Sequence, residues 1–408
     1  MKTIVSRLYL SSFRISSPHL LSRTTPPLAC LSSATGHQQQ RSTTKPSLKS
    51  REIAIRRNKE KRRTRSDKNY NIDESPPSPI DDHVPVLFGE VLDVFASVSI
   101  NTFVDCTLGA GGHSSAIIKA HGEMQNYLGI DVDPLAHEKA KERLQPCSEA
   151  NPGLNIRTEQ KNFKQVKSLL NEMKLNRGAD GILMDLGMSS MQIDVSGRGF
   201  SMMADAPLDM RMDPQGSLRA KDILNTWPEE ELGRVLRDYG EEFNWRVLQK
   251  KILEERLYGG LHYTSELVDL IQSSSRKQSG GRHGWIKTAI RIFQALRIAV
   301  NDELNTLEKS LHECFECLAP GGRLAVISFH SLEDRIVKRA FLAMINGAGC
   351  EMEEKDDEEM KESWIKQIVK GSYGTILTRR PITPSVFEEK LNRRSRSAKL
   401  RVIQKIPS

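Results

Sequence analysis

No stretch of about 18 uninterrupted apolar residues occurs in this 408-residue chain, so it offers no membrane-spanning helix. Cysteine is scarce. The six residues at 30, 106, 147, 314, 317 and 350 are too few and too scattered for a disulfide scaffold, so reduced thiols in an intracellular or organellar compartment are expected. No internal repeat is present, and the composition is neither collagen-like nor mucin-like. The first 51 residues contain no acid at all, against eight Lys or Arg and 17 Ser or Thr. Ser-rich, Arg-bearing, acid-free composition is that of an organelle import sequence, the alternative being a disordered basic tail. The Ser and Thr content and the lack of an amphipathic Arg helix favour plastid (chloroplast) over mitochondrion. Residues 52–68 add eight bases and three acids. The two segments carry +8 and +5 of a total of +8, which leaves −5 on residues 69–408. A polyanionic partner must therefore be held by a local basic patch, because the field of the folded part is unfavourable.

What is present is length and apolar content, 38% hydrophobic residues, enough for one large domain or two ordinary ones. Residues 1–68 read as a transit peptide and basic leader. Pro76-Pro77-Ser78-Pro79 marks a linker over 69–82. From 83 onward short β-rich runs alternate with helical stretches: Thr102-Phe103-Val104-Asp105-Cys106, Tyr127-Leu128-Gly129-Ile130, a run near 154–157, and Gly181-Ile182-Leu183-Met184-Asp185. Strands separated by helices of ten or more residues imply a parallel sheet covered on both faces, a doubly wound α/β fold. The strand signal stops between 196 and 290, where 220–239, 244–258 and 265–273 have helical periodicity, with Ser265 as a cap. It resumes at 322–328, and 375–377 and 400–403 are expected as the last strands. The organisation is thus one core, 83–195 with 291–408, carrying an inserted helical lobe over 196–290. The acidic run 351–362 reads as a surface loop.

In an open parallel sheet, ligands bind at the carboxyl ends of the strands where strand order reverses. Asp105 feeds the glycine turn Gly109-Ala110-Gly111-Gly112-His113, and Asp131 ends the second strand, where a carboxylate can accept from both hydroxyls of a ribose. That pairing fits NAD and S-adenosylmethionine alike. The glycines lack G-x-G-x-x-G spacing and no base marks a pyrophosphate site, which favours the phosphate-free nucleoside. Asp185-Leu186-Gly187-Met188-Ser189-Ser190-Met191-Gln192 closes the fourth strand, either as a cofactor and substrate contact or as a turn satisfying its own backbone. Pro207 to Asp213 places two acids and an Arg among apolar residues, as a strand with a structural ion pair or as a charged cleft wall. Cys314-x-x-Cys317 reads as half-buried packing, His330 as a hydrogen-bonded structural residue, and no metal is expected.

Several longer blocks carry a resemblance: the glycine turn, Asp185 to Gln192 with Arg198-Gly199-Phe200-Ser201, Pro207 to Asp213, Phe293-Gln294-Ala295-Leu296-Arg297-Ile298, Ser328-Phe329-His330-Ser331-Leu332-Glu333-Asp334-Arg335, and Arg396-Ser397-Ala398-Lys399-Leu400-Arg401. From 83 to about 402 the chain resembles the MraW family of methyltransferases. The resemblance implies a Rossmann-like class I methyltransferase fold and transfer of methyl from S-adenosylmethionine to the exocyclic N4 of a cytidine in small-subunit (16S-type) ribosomal RNA, free or in a pre-ribosomal particle. It places Gly111, Gly112, His113, Asp131, Phe163, Asp185 and Gln192 against the cofactor. The chain departs from the family at Lys287-Thr288-Ala289-Ile290-Arg291-Ile292, where a His-Pro-Ala-Thr-Arg segment is common, although Arg291 is retained.

The lone pair of a cytosine amino group is delocalised into the ring, so the nitrogen needs an acceptor on its protons and a methyl held in line. Asp185, Asp209 and the Ser189-Ser190 pair are the expected acceptors. Arg291, Arg297, Arg396, Lys399 and Arg401 are the expected RNA contacts around a splayed-out base. A dinucleotide-dependent oxidoreductase and a catalytically silent ribosome-assembly factor are the competing readings.

Overall fold

A computed structural model describes residues 64–66, 68, 84–194, 196–275, 284–346, 364–365 and 367–407. The expected leader up to residue 63, the expected 69–82 linker and the acidic run 351–362 lie outside the described residues.

Ten strands are formed among the described residues: β1 (Thr64–Arg65), β2 (Thr102–Asp105), β3 (Asn126–Asp131), β4 (Asn155–Gln160), β5 (Ala179–Asp185), β6 (Leu318–Ser328), β7 (Val369–Lys370), β8 (Gly374–Ile376), β9 (Ile382–Thr383) and β10 (Lys399–Lys405). They make one sheet in the order β1-β9-β10-β6-β5-β2-β3-β4, with β8 also on β10 and β7 on β8. The five strands β6-β5-β2-β3-β4 are parallel, and β10 returns antiparallel to β6. From β2 the chain winds outward through β3 to β4, then crosses back to β5 on the other side of β2. The strand order therefore reverses between β2 and β5, and the ends of these two strands open a crevice.

The parallel strands read as unbroken apolar runs because both faces are buried. Period-two alternation divides each run between two cores. Val104, Leu128, Ile182 and Val326 face one way, under the helices Val166–Glu172, Glu303–Glu316 and Ser331–Asn346. Phe103, Tyr127, Leu183 and Ala325 face the other, under Phe88–Ala96, Gly112–Ala120 and Pro134–Ala150. The edge strand β4 has no apolar run and is largely solvated, which is why its expected position fell short of its observed end at Gln160.

A third apolar cluster belongs to the helical lobe and joins Phe200, Leu208, Leu224, Leu236, Leu248 and Leu270. The stretch expected as one helix over 220–239 is broken. Ala220–Thr226 ends before Trp227-Pro228, and a new helix begins at Glu229, because the residue before a proline is pushed out of helical backbone. Ser265 is not a cap: its hydroxyl donates to Asp205 Oδ1 at 2.7 Å, and the helix Thr264–Ser275 starts one residue earlier. The expected division at 290/291 falls inside a single helix, Gly284–Asn301, whose Ala289, Ile292, Phe293 and Leu296 all pack in the lobe cluster. The last residues of the expected leader are ordered on the sheet. Thr64–Arg65 pairs in parallel with β9, and Lys68 lies 2.6 Å from Asp93.

Candidate active site

The ends of β2, β3 and β5 open into a cleft of about 1230 Å³. Its floor is fixed by hydrogen bonds that the strands make to one another's turns. Thr107, just beyond β2, accepts from the Asp185 backbone nitrogen at 2.6 Å through its hydroxyl. Asp105 accepts from Ser114 Oγ at 2.6 Å and from the Thr107 nitrogen at 3.0 Å, and Tyr127 OH donates to Ser114 Oγ at 2.6 Å. This buried chain ties the glycine turn to the start of the helix Gly112–Ala120. Gly111 sits there at φ 74°, and a Cβ on it would come within 3.4 Å of the Ala140 backbone, so the turn can approach the next helix closely only as glycine.

Of the seven expected cofactor contacts, Gly112, His113, Asp131, Phe163, Asp185 and Gln192 line the cleft, while Gly111 caps the helix behind it. Asp131 is held by the backbone nitrogens of Gly109 and Asp133 at 2.9 and 3.0 Å, and burial raises its proton affinity. Asp131 lines the cleft with accepting capacity left on both oxygens, as a ribose diol requires. Phe163 follows β4 on a short turn and packs a partly buried ring against the first core. Gln192 donates to Asp133 at 3.0 Å and accepts from the Ser189 nitrogen at 3.1 Å, so it shapes the turn after β5. Asp133 also pairs with Arg198, whose other amino group donates to the carbonyls of Arg211 and Met212 at 2.7 and 2.6 Å. The far wall is thus anchored to the cofactor side. Asn301 completes it by accepting from the Met212 nitrogen at 2.7 Å and donating to the Met210 carbonyl at 2.8 Å.

Asp185 and His113 face each other across the floor, 3.7 Å apart. Burial drives Asp185 up to about 8, with the charges of Asp105, Glu333 and Glu388 adding to the effect. Burial drives His113 down to about 4 despite a hydrogen bond to the Val86 backbone, so this imidazole is neutral at physiological pH. Asp185 Oδ1 and His113 Nε2 are both buried without a hydrogen-bond partner. The unpaired Oδ1 adds to the cost of ionising Asp185, whose side chain is still partly open to the cleft.

Among the expected proton acceptors, Asp185 and Ser189 reach the cleft, and Ser190 has a side chain outside the described residues. Asp209 is corrected to a structural role. Arg211 grips both its oxygens at 2.7 Å, Arg219 lies 3.6 Å away, and its carboxylate does not line the cleft. Burial alone would raise Asp209, but Arg211 and Arg219 hold it below the usual carboxylate range. The block Pro207 to Asp213 forms no strand; it holds the expected internal ion pair and, from Arg211 to Asp213, a cleft wall.

Glu333 was not singled out from the sequence, yet it lines the cleft beside Phe329 and is almost fully buried. It accepts from the Phe329 nitrogen at 2.8 Å and lies 3.0 Å from His330 Nε2. Its spacing from His330, one helical turn, was the available signal. Burial opposes its charge, but His330 and Arg297 outweigh that and keep it ionised. Glu303, His330 and Glu333 could together offer a metal three ligand atoms within 4.8 Å of one another. Arg297, however, donates to both oxygens of Glu303 at 2.8 Å, which makes the cluster a charge-balanced network.

Most of the expected RNA contacts are corrected by their partners. Arg297 is buried against Glu303, while Arg401 and Lys399 close on Asp334 at 2.7 and 2.8 Å. Arg291 is half-exposed but paired with buried Glu242. Arg396 is exposed and in no ion pair among the described residues, on the turn Arg393–Ser397, where Arg393 and Arg394 are exposed too and Arg394 reaches the cleft rim. Arg401→Ala is expected to cost about 1.5 to 3 kcal/mol of stability by removing one of the two cations on Asp334, with Lys399 remaining, read by denaturant titration. RNA affinity of the folded fraction should be unchanged.

The chain matches the MraW methylase family over residues 81–406. Ribosomal RNA small subunit methyltransferase H of Heliobacterium mobile is 42% identical to it over 327 residues, covering 79% of this chain and 99% of that protein. The protein of the same name from Clostridioides difficile is 40% identical over 327 residues, with 79% and 99% covered. A solved rRNA methylase of Streptococcus thermophilus covers 81% of this chain at 8% identity with a TM-score of 0.32, too loose a likeness to add to the argument. A match to one family across the cleft, the lobe and every strand from β2 onward means that this chain belongs to the MraW methylase family.

Proposed function

We propose that this protein transfers methyl from S-adenosylmethionine to the exocyclic N4 of a cytidine in small-subunit ribosomal RNA of an organelle. The observation that carries the reading is Asp185, whose side chain is partly open to the cleft floor and whose proton affinity burial raises, in a cleft that begins at the ribose-compatible carboxylate of Asp131. S-adenosylmethionine supplies there an electrophilic methyl on a cationic sulfur. Asp185 lies at the end of β5 beside the switch point, where it can accept a hydrogen bond from the amino group and hold its lone pair toward the methyl. As the N–C bond forms and the C–S bond breaks, the nitrogen becomes cationic and one of its protons passes to Asp185. Glu333 and Asp105 add negative charge that favours this transfer. Ser189 can hold the ring from the side. The exposed Arg393, Arg394 and Arg396 supply phosphate contacts at the rim.

The test is incubation of the full chain with methyl-labelled donor and unmodified small-subunit rRNA, followed by nucleoside digestion and mass spectrometry. N4-methylcytidine is the expected product. Label in another nucleoside, or none, overturns the reading. The acid-free leader supports import into the plastid ahead of the mitochondrion. Fusing residues 1–68 to a fluorescent protein checks this, and a cytosolic signal would refute it.

A further inference from the structure

Phe243 is 92% exposed, although the loop that carries it is fixed on both sides. Glu241, in left-handed backbone at φ 45°, accepts from Ser331 Oγ at 2.6 Å and from Arg335 at 3.2 Å. Both partners open the helix that follows Phe329 in the cleft wall. Glu242 is buried and accepts from Arg291 at 3.3 Å and from the Asn244 nitrogen at 3.1 Å. Two anchored carboxylates therefore hold the ring outward, at the junction of lobe and core. An aromatic ring left in water forgoes the stabilisation that burying it would give, so a rigid loop that keeps it exposed calls for a partner.

The neighbourhood indicates what partner. Val247, one turn along the next helix, and Ile290 extend the apolar surface. The ion pairs Arg291–Glu242 and Arg335–Glu241 cancel, so the net positive charge beside it is that of Arg246 and Lys287. Lys287 and Ile290 fall in the segment where this chain departs from the family pattern. An aromatic face beside one guanidinium and one ammonium group suits a single-stranded polynucleotide, whose bases stack while its phosphates pair with the cations. We infer that Phe243 is a stacking platform for a base of the single-stranded RNA flanking the target cytidine. The inference rests on the RNA-methyltransferase reading and adds a specificity contact to it.

The experiment measures binding of a fluorescein-labelled 20-nucleotide pyrimidine RNA by anisotropy, together with kcat and KM on small-subunit rRNA. Phe243→Ala is expected to raise Kd and KM about tenfold with kcat within about twofold, and Phe243→Trp to restore both. Tyr258→Ala, at another exposed aromatic of the lobe, should change neither. S-adenosylhomocysteine binding and melting temperature should match the unaltered protein in all three variants. Unaltered RNA affinity in Phe243→Ala overturns the inference and leaves the methyltransferase reading standing. Conversion of a dimer to a monomer in light scattering would overturn it in favour of self-association. Failure of the unaltered protein to bind or methylate RNA would remove the underlying reading as well.

Discussion

Asp185→Asn is expected to slow methyl transfer by about 10²- to 10³-fold, because it removes the acceptor that draws the amino proton while keeping the side chain's shape. Binding of S-adenosylhomocysteine, measured by calorimetry, should change no more than about threefold. The same substitution should raise the melting temperature above pH 8, since it removes a buried carboxylate whose ionisation burial opposes. Asp209→Asn should do the reverse. Arg211 loses the carboxylate that grips it at two points, which costs about 2 kcal/mol and several degrees of melting temperature. Turnover per folded molecule should stay within about twofold. Equal loss of turnover in both variants would mean that Asp209 reaches the substrate after all and that the two roles assigned here are wrong.

That contrast marks where sequence reading stops. Asp185 and Asp209 look alike along the chain, each an acid among apolar residues. Only the fold shows that Arg211 turns back on Asp209 while Asp185 is left with an unpartnered oxygen. The strands were legible because β2, β3, β5 and β6 are buried on both faces and must be apolar throughout. The glycine turn and Asp131 were legible because close backbone approach and a strand-end carboxylate leave few residue choices. The bases were not. Arg297, Lys399 and Arg401 carry the charge an RNA phosphate wants, but their partners Glu303 and Asp334 lie on other elements. A charge run cannot reveal whether its counter-charge arrives from elsewhere in the fold. Phe243 was missed for the opposite reason, since a lone aromatic between two helical stretches carries no pattern until its neighbours are seen to be anchored away from it.

Affinity for S-adenosylmethionine should climb with pH until about 8 and then level off. Asp185 is held up at about 8 in the unliganded protein, so below that pH it is mostly neutral, and a cationic sulfonium selects the ionised form. The groups facing it are Asp105, held up at about 6, Glu333, kept ionised by His330, Glu388, held up at about 7, and His113, neutral above about 4. None of these supplies a compensating positive charge within the window. Binding therefore releases protons, and affinity should rise by close to tenfold per pH unit as pH approaches 8 from below. The pH at which this slope fades at the acid end marks the lowered proton affinity of Asp185 in the complex. S-adenosylhomocysteine, with a neutral sulfur, should show a much shallower dependence. The sign for stability follows from the same groups. Asp185, Asp105 and Glu388 each bind a proton more tightly when folded, so their contribution is fully present in acid and is lost as pH rises through about 6 to 8. The unliganded protein should accordingly melt at lower temperature at pH 8.5 than at pH 6, and the sulfonium donor should recover more of that loss than the thioether does. Calorimetry in two buffers of different ionisation enthalpy counts the protons directly. Equal pH profiles for donor and product would place the sulfur away from Asp185 and break the link between this carboxylate and the transferred methyl.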